Sequence, residues 1–192
     1  MVRSWLFAPG HSERILARVF DAGADEALID LEDAVPPDQK ARARALEIAS
    51  APGVVNLAFG NVDFGLELNV DPSDDQATLY ARSHLVVASR AAGIEPPSDG
   101  VWVRYRDLDG LRGAALRARR LGFFGKSAIH PSQVAIINEV FAPTPEELDW
   151  ARRVVAAFEA SGGAATRLDG GEMIDVPVAE RARRLLALAH RS

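Results

Sequence analysis

The sequence has no cysteine among its 192 residues, which excludes disulfides and thiolate metal sites together. Any bound metal must therefore use oxygen or imidazole ligands, a donor set that favours a hard cation such as Mg²⁺. Aromatic residues are scarce at 7%, and no apolar run approaches the ~20 residues that span a bilayer. Excess positive charge is missing as well. The formal net charge is −5, which argues against nucleic acid or an anionic membrane as the main partner but leaves room for a small anionic substrate. The opening MVRSWLFAPG is broken by Pro9-Gly10 too early to read as a signal peptide, so the expected location is cytoplasmic.

What is present suits a folded domain, with 48% hydrophobic residues and a chain long enough to bury a core. Ser4–Ala8 reads as a strand stopped by Pro9-Gly10. A helix follows, with His11-Ser12 at its start and Ile15, Leu16, Val19 and Phe20 at helical spacing. Ala27–Leu31 reads as a second strand, completing a βαβ unit. A helix around Ala45–Ala51 comes next. The alternation continues through a strand at Val54–Phe59, a helix at Gln76–Ala92, a strand at Val101–Tyr105, a helix at Gly110–Leu121 and a strand at Gly125–Ile129. That rhythm predicts an α/β domain with a parallel sheet. After Phe141 the pattern turns helical. Thr144 and Glu147 form a capping box around Pro145, a helix runs to Gly162-Gly163, and a last helix covers Val178–Ala189. No strand is expected in this part. The expected division is residues 1–141 and 142–192.

In parallel α/β folds reactive groups collect where loops leave the carboxyl ends of strands. Asp30, Glu32 and Asp33 close one expected strand, Asp63 another; Asp107 follows a third, and Lys126 and His130 flank the last. Asp30, Glu32 and Asp33 fall within four residues and repel unless a cation lies among them, so a metal, lysine or arginine is implied. Each group also has a plainer reading: a solvated strand end for the acidic trio, a turn for Gly60–Asp63, a loop residue for His130, a helix cap for Asp175. Lys126 could pair with the acidic cluster or meet a phosphate.

Taken together and in order, Leu6–Gly10 (LFAPG), Ala27–Val35 (ALIDLEDAV), Leu57–Asp63 (LAFGNVD), Tyr80–Arg82, Gly122–Gln133 (GFFGKSAIHPSQ) and Met173–Pro177 (MIDVP) resemble the citrate lyase β-subunit–like branch of the HpcH/HpaI aldolase superfamily. The resemblance implies a (β/α)₈ TIM barrel of the phosphoenolpyruvate/pyruvate type with a C-terminal helical arm packing on a neighbouring subunit. It implies a Mg²⁺-dependent carbon–carbon lyase acting on a CoA thioester such as citryl-CoA, malyl-CoA or citramalyl-CoA, assembled as a homotrimer or homohexamer. By the same resemblance, Asp63 is the aspartate ligand of Mg²⁺, and Glu32 and Asp33 are the acidic pair lining the site. Lys126, His130 and Gln133 fall in the loop near the CoA, and Asp175 is an acid/base delivered into the adjacent subunit's site.

The sequence departs from that pattern in one place. A barrel of this type needs ~200–250 residues, and only about five strands are found. The family places three more strand units after the DLED segment, where Lys40–Arg44 here runs straight on into the next helix. The absent block would carry a second Mg²⁺ ligand, a glutamate, and an arginine that binds the substrate carboxylate. A barrel without those strands would expose two long parallel edges, so a break in the backbone near Arg42–Ala45 is expected. Two other readings stand beside the lyase: a non-catalytic relative that binds a CoA ester or partner subunit, and a CoA-independent pyruvate-type aldolase.

Overall fold

The computed structural model describes residues 5–9, 14, 18, 26–30, 45–168 and 170–189. The expected helix after His11, the Glu32-Asp33 pair and the expected break near Arg42–Ala45 lie outside the described residues, apart from Arg14, Arg18 and Ala45. The chain divides into two compact units, Met1–Ile137 and Asn138–Ser192.

In the first unit β1 (Trp5–Pro9) and β2 (Glu26–Asp30) pair in parallel, with Trp5 opposite Glu26 and Pro9 opposite Asp30. Parallel neighbours so close in sequence need a crossover between them, as the βαβ reading required. Helix α1 (Ala45–Ala49) follows, and its Ile48 and Ala49 join Val54 and Leu57 in a small buried cluster. The Val54–Phe59 segment is extended but carries only an isolated parallel bridge, Ala58 to Ser98. Its backbone is tied on that side at three points: Glu95 N–H donates to Val55 O, Ser98 N–H to Leu57 O and Phe59 N–H to Ser98 O. Leu57 and Phe59 are buried while Ala58 between them is exposed, the alternation of a strand with one face covered.

Helix α2 (Asn61–Leu68) leads to α3 (Asp75–Ala92). Asp74 caps α3 by accepting from the Gln76 and Ala77 amides, and Gly93 ends it in the left-handed region at φ 73°. Strand β3 is only Ser98–Asp99, and it pairs in parallel with β4 (Gly125–Lys126). The expected strand at Val101–Tyr105 is a correction: those residues form the loop that leaves β3. The pairing partner of Gly125-Lys126 lies three residues earlier, in a polar dipeptide that periodicity does not mark. Helix α4 (Leu108–Leu121) buries Leu111, Ala114, Ala115 and Ala118 along one stripe and is capped by Asp107. Helix α5 (Pro131–Phe141) was not anticipated; it follows β4 directly, and the division between the two units falls within it.

In the second unit α6 (Pro145–Ala160) carries both bonds of the capping box, Glu147 N–H to Thr144 Oγ1 at 3.2 Å and Thr144 N–H to Glu147 Oε2 at 2.8 Å. It packs on α7 (Val176–Ala189) around Val154, Phe158, Ile174 and Ala182. Between the helices a short antiparallel hairpin pairs β5 (Thr166–Arg167) with β6 (Met173–Ile174), contrary to the expectation of no strand here. Its Gly170 and Gly171, both at positive φ, supply the turn that lets two residues pair with two.

Candidate functional site

The βα loops of the first unit enclose a cleft of about 180 Å³ whose floor is ionic. Asp99, the last residue of β3, receives both Nε and Nη2 of Arg82 at 3.1 Å and Nζ of Lys126 at 2.7 Å. All three side chains are buried, at 6% exposure for Arg82, 4% for Lys126 and 3% for Asp99. Arg82 reaches the site because α3 carries it on the face that buries Thr78 and Ser89, four and seven residues away. Lys126 comes from β4, which the sheet places beside Asp99 in register. Burial pushes the Lys126 ammonium below its usual pKa, and the Asp99 carboxylate only partly offsets this.

The row continues outward. Arg82 Nη1 lies 3.4 Å from Asp75 Oδ1, and the other oxygen of that carboxylate pairs with Arg117 of α4. Arg104 lies on the Val101–Tyr105 loop with its guanidinium 4.5 Å from the centroid of the Trp102 ring. Asp71, also at the rim, accepts from the Ser73 hydroxyl and amide, and the hydroxyl bond leads in holding its carboxyl below the ordinary range.

The expected site residues separate into distinct settings. Lys126 is on the cleft floor, salt-bridged to Asp99. Asp63 is half-buried in the first turn of α2, and its carboxylate makes no hydrogen bond or ion pair among the described residues. Asn61, two residues earlier, clamps that helix start to the next loop: its Oδ1 accepts from Val101 N–H at 2.8 Å and its Nδ2 donates to Val101 O at 3.1 Å. A Cβ on Gly100 would come within 2.8 Å of three Asn61 side-chain atoms, so glycine is what permits the clamp.

His130 is exposed, its ring tilted 30° against that of Tyr105 with centroids 4.9 Å apart, and its Nδ1 lies 2.8 Å from Ser132 Oγ. Gln133 is fully buried. Its Oε1 accepts from Ile129 N–H at 2.9 Å and its Nε2 donates to Trp102 O at 2.9 Å, so its amide spans two loops of this chain. Asp175 stands before α7 with Oδ1 accepting from Val178 N–H, the plainer cap reading; no bond engages its second oxygen among the described residues. Asp107 caps α4.

Sequence reasoning missed Asp99, Asp75 and Arg117. A lone Asp in Ser-Asp-Gly reads as a turn, and the only usable signal was the buried pairing that Arg82 and Lys126 each demanded. Among the described residues no three carboxylate or imidazole groups cluster as a ready metal site, and no helix is long and apolar enough to cross a membrane.

The chain is 38% identical over 136 residues to the mitochondrial citramalyl-CoA lyase of Mus musculus, an alignment covering 69% of this chain and 40% of that protein. It is 28% identical to a (3S)-malyl-CoA thioesterase of Cereibacter sphaeroides over 237 aligned positions, covering 82% of this chain and 83% of the relative. Since 82% of 192 residues is about 157, about 80 of those positions face a gap in this chain. The crystal structure of CitE from Mycobacterium tuberculosis in complex with magnesium, acetoacetate and coenzyme A superposes with a TM-score of 0.68 at 25% identity, covering 98% of both chains. The chain thus spans about two fifths of the length of the mouse relative. The HpcH/HpaI aldolase/citrate lyase family matches residues 3–46 and 44–131, two stretches that overlap at residues 44–46, where the sequence runs on from Lys40 into α1, and the chain belongs to that family.

Proposed function

We propose that this protein is a Mg²⁺-dependent carbon–carbon lyase that cleaves a 3-hydroxyacyl-CoA thioester such as citryl-CoA, malyl-CoA or citramalyl-CoA into acetyl-CoA and an oxo acid. The observation that carries this reading is the 38% identity to a citramalyl-CoA lyase across the segments that bear Asp63, Lys126 and His130. The complete fold on this reading is a (β/α)₈ barrel whose missing strand units correspond to the alignment gap, with the C-terminal unit as an arm. Its setting is the cytoplasm and its assembly a homotrimer or homohexamer.

The residues fit a hard cation in part. Asp63 offers a carboxylate with no competing partner among the described residues, at the start of a helix that Asn61 holds in place. One carboxylate with retained waters is a usual way to bind Mg²⁺, though a weak one without a second protein ligand. When bound, the ion supplies charge stabilisation to the oxo-acid half as the bond breaks. Cleavage takes the hydroxyl proton, breaks the carbon–carbon bond and leaves its electron pair as the thioester enolate, which is then protonated at the α-carbon. Asp175, with one oxygen used as a cap and the other unengaged, would manage a proton in a neighbouring subunit's site. Glu32 and Asp33 would line the pocket, while the His130 loop, pinned by Gln133, would border the CoA.

Incubation with each of the three thioesters, with Mg²⁺ and with chelator, tests the reading. Acetyl-CoA release that needs Mg²⁺ is expected from one of them; no release from any would refute it. Asp175→Ala should abolish cleavage while Mg²⁺ binding persists, and loss of metal binding would refute the acid/base role. The gap of about 80 aligned positions favours one other reading, a non-catalytic relative that binds a CoA ester or partner subunit. An intact mass of 20.7 kDa would establish that the block is absent and decide for it.

A further inference from the structure

Helix α2 has little packing to fix where its first turn points. Gly65 is the only buried residue of its eight, while Val62, Leu66 and Leu68 are exposed. Phe64 adds a ring contact to Phe59, with centroids 5.3 Å apart. Gly60, the residue before the helix, has no side chain with which to cap it. The first turn is tied to the sheet through Asn61, whose amide meets both backbone groups of Val101, accepting from N–H at 2.8 Å and donating to O at 3.1 Å. Val101 follows by two residues the Asp99 carboxylate that Arg82 and Lys126 hold on the cleft floor. The place of Asp63, in the same turn as Asn61, thus follows from the end of β3.

We propose that Asn61 is a positioning residue for cation binding at Asp63, acting through Val101. This rests on the reading of Asp63 as a Mg²⁺ ligand. Mg²⁺ demands near-ideal octahedral geometry at about 2.0–2.1 Å, so a carboxylate serves it only when held still. The Asp63 carboxylate makes no hydrogen bond or ion pair of its own among the described residues, and its aim is therefore set by the backbone that carries it. Among the described residues no cluster of carboxylates or imidazoles shares that work. Groups that orient a metal ligand from behind are typically worth about 10–100-fold in metal affinity. An alanine at position 61 keeps the helix and removes both bonds, which frees the first turn to shift against β3.

The test uses the full chain and Mn²⁺, a cation suited by the same oxygen ligands, with the free ion read by electron paramagnetic resonance. The wild type should bind one ion that Mg²⁺ displaces, and Asp63→Asn should abolish this. Asn61→Ala, measured well below its melting temperature, should weaken the affinity about tenfold, equivalent to about 1.4 kcal/mol. Gly100→Ala reaches the clamp from its other side, since the added methyl would collide with the Asn61 side chain, and should weaken binding by a similar factor. Because both changes act on one clamp, the double variant should lose less than the product of the two single losses. A clamp that serves folding alone would lower the melting temperature of Asn61→Ala and leave the Mn²⁺ affinity of the folded protein unchanged. That result, or a double variant that loses the full product, overturns the proposal. Binding that survives in Asp63→Asn, or none in the wild type, overturns the metal role of Asp63 as well, and so is told apart from failure of the clamp alone.

Discussion

Replacing Asp99 by Asn keeps the shape of the cleft floor and removes the one negative charge that, among the described residues, Arg82 and Lys126 share. Breaking a buried ion pair by removing one partner costs about 3–5 kcal/mol, because the surviving charge stays desolvated and uncompensated. Here two charges survive, and they respond differently. The Arg82 guanidinium cannot deprotonate, and Asp75 at 3.4 Å is its remaining partner among the described residues. Lys126 can release its proton, and its pKa, already lowered from 10.5 by burial, falls further when Asp99 is neutral. The expected loss at neutral pH is therefore about 3–5 kcal/mol. With a urea m-value of about 2 kcal/mol/M it moves the midpoint down by about 2 M.

The sign of the pH dependence makes the test specific. Where Lys126 is neutral in the folded variant and charged in the unfolded chain, the unfolded state holds the extra proton. Stability then rises with pH, by at most about 1.4 kcal/mol per unit, until pH passes 10.5. The deficit of Asp99→Asn should thus narrow between neutral and alkaline pH. Urea unfolding followed by tryptophan fluorescence measures it, in a Trp150→Phe background so that only Trp5 and Trp102 of the first unit report. A deficit below about 1 kcal/mol, or one that does not change with pH, would refute the account of Asp99 as the shared counter-charge.

Lys126→Met removes a charge whose burial outweighs its pairing and leaves Arg82 and Asp99 balanced, so it should cost less than about 1.5 kcal/mol. In the wild type the lowered Lys126 pKa penalises the folded state fully below that pKa. The penalty is relieved as pH rises toward 10.5, and the variant should lack this alkaline rise in urea midpoint. Gln133→Ala strands Ile129 N–H and Trp102 O together, at about 2–4 kcal/mol, and hydrogen exchange at the Ile129 amide should accelerate. Thr144→Ala removes the α6 cap for about 1 kcal/mol, read by Trp150 fluorescence, and Glu147→Ala should cost no more.

The parts of this molecule that were legible in advance are those decided within a few residues. The capping box of Thr144 and Glu147 and the end of α3 at Ala92 need only local backbone geometry, and both stand where the sequence placed them. Helix α5 carried a local signal that went unused: Pro131 at its first position, then Val134, Ile137 and Val140 three apart. The strands failed differently. Val101–Tyr105 has the apolar alternation of a strand, yet the pairing with β4 falls on Ser98-Asp99, because a parallel ladder is fixed by what lies beside it in space. Val54–Phe59 kept its alternation but formed hydrogen bonds along one side only, among the described residues.

The same distinction explains the site. Asp63, His130 and Asp175 were marked by motif; His130 and Asp175 stand in the loop and the cap of their plainer readings, whereas Asp63 lies in the first turn of a helix where a turn was expected. Asp99 carried no local mark at all, since its meaning comes from Arg82, seventeen residues before it, and Lys126, twenty-seven after. A charge buried at 3% exposure is costly wherever it occurs, and a sequence that supplies two cations for it has spent stability on an arrangement an apolar cluster would hold more cheaply. The extra cation is the part that packing does not require. Asp99 and Arg82 alone would close the floor between β3 and α3 as a bidentate pair, and Lys126 beside them ties β4 to the same carboxylate, so one buried aspartate joins two strands and the helix that covers them.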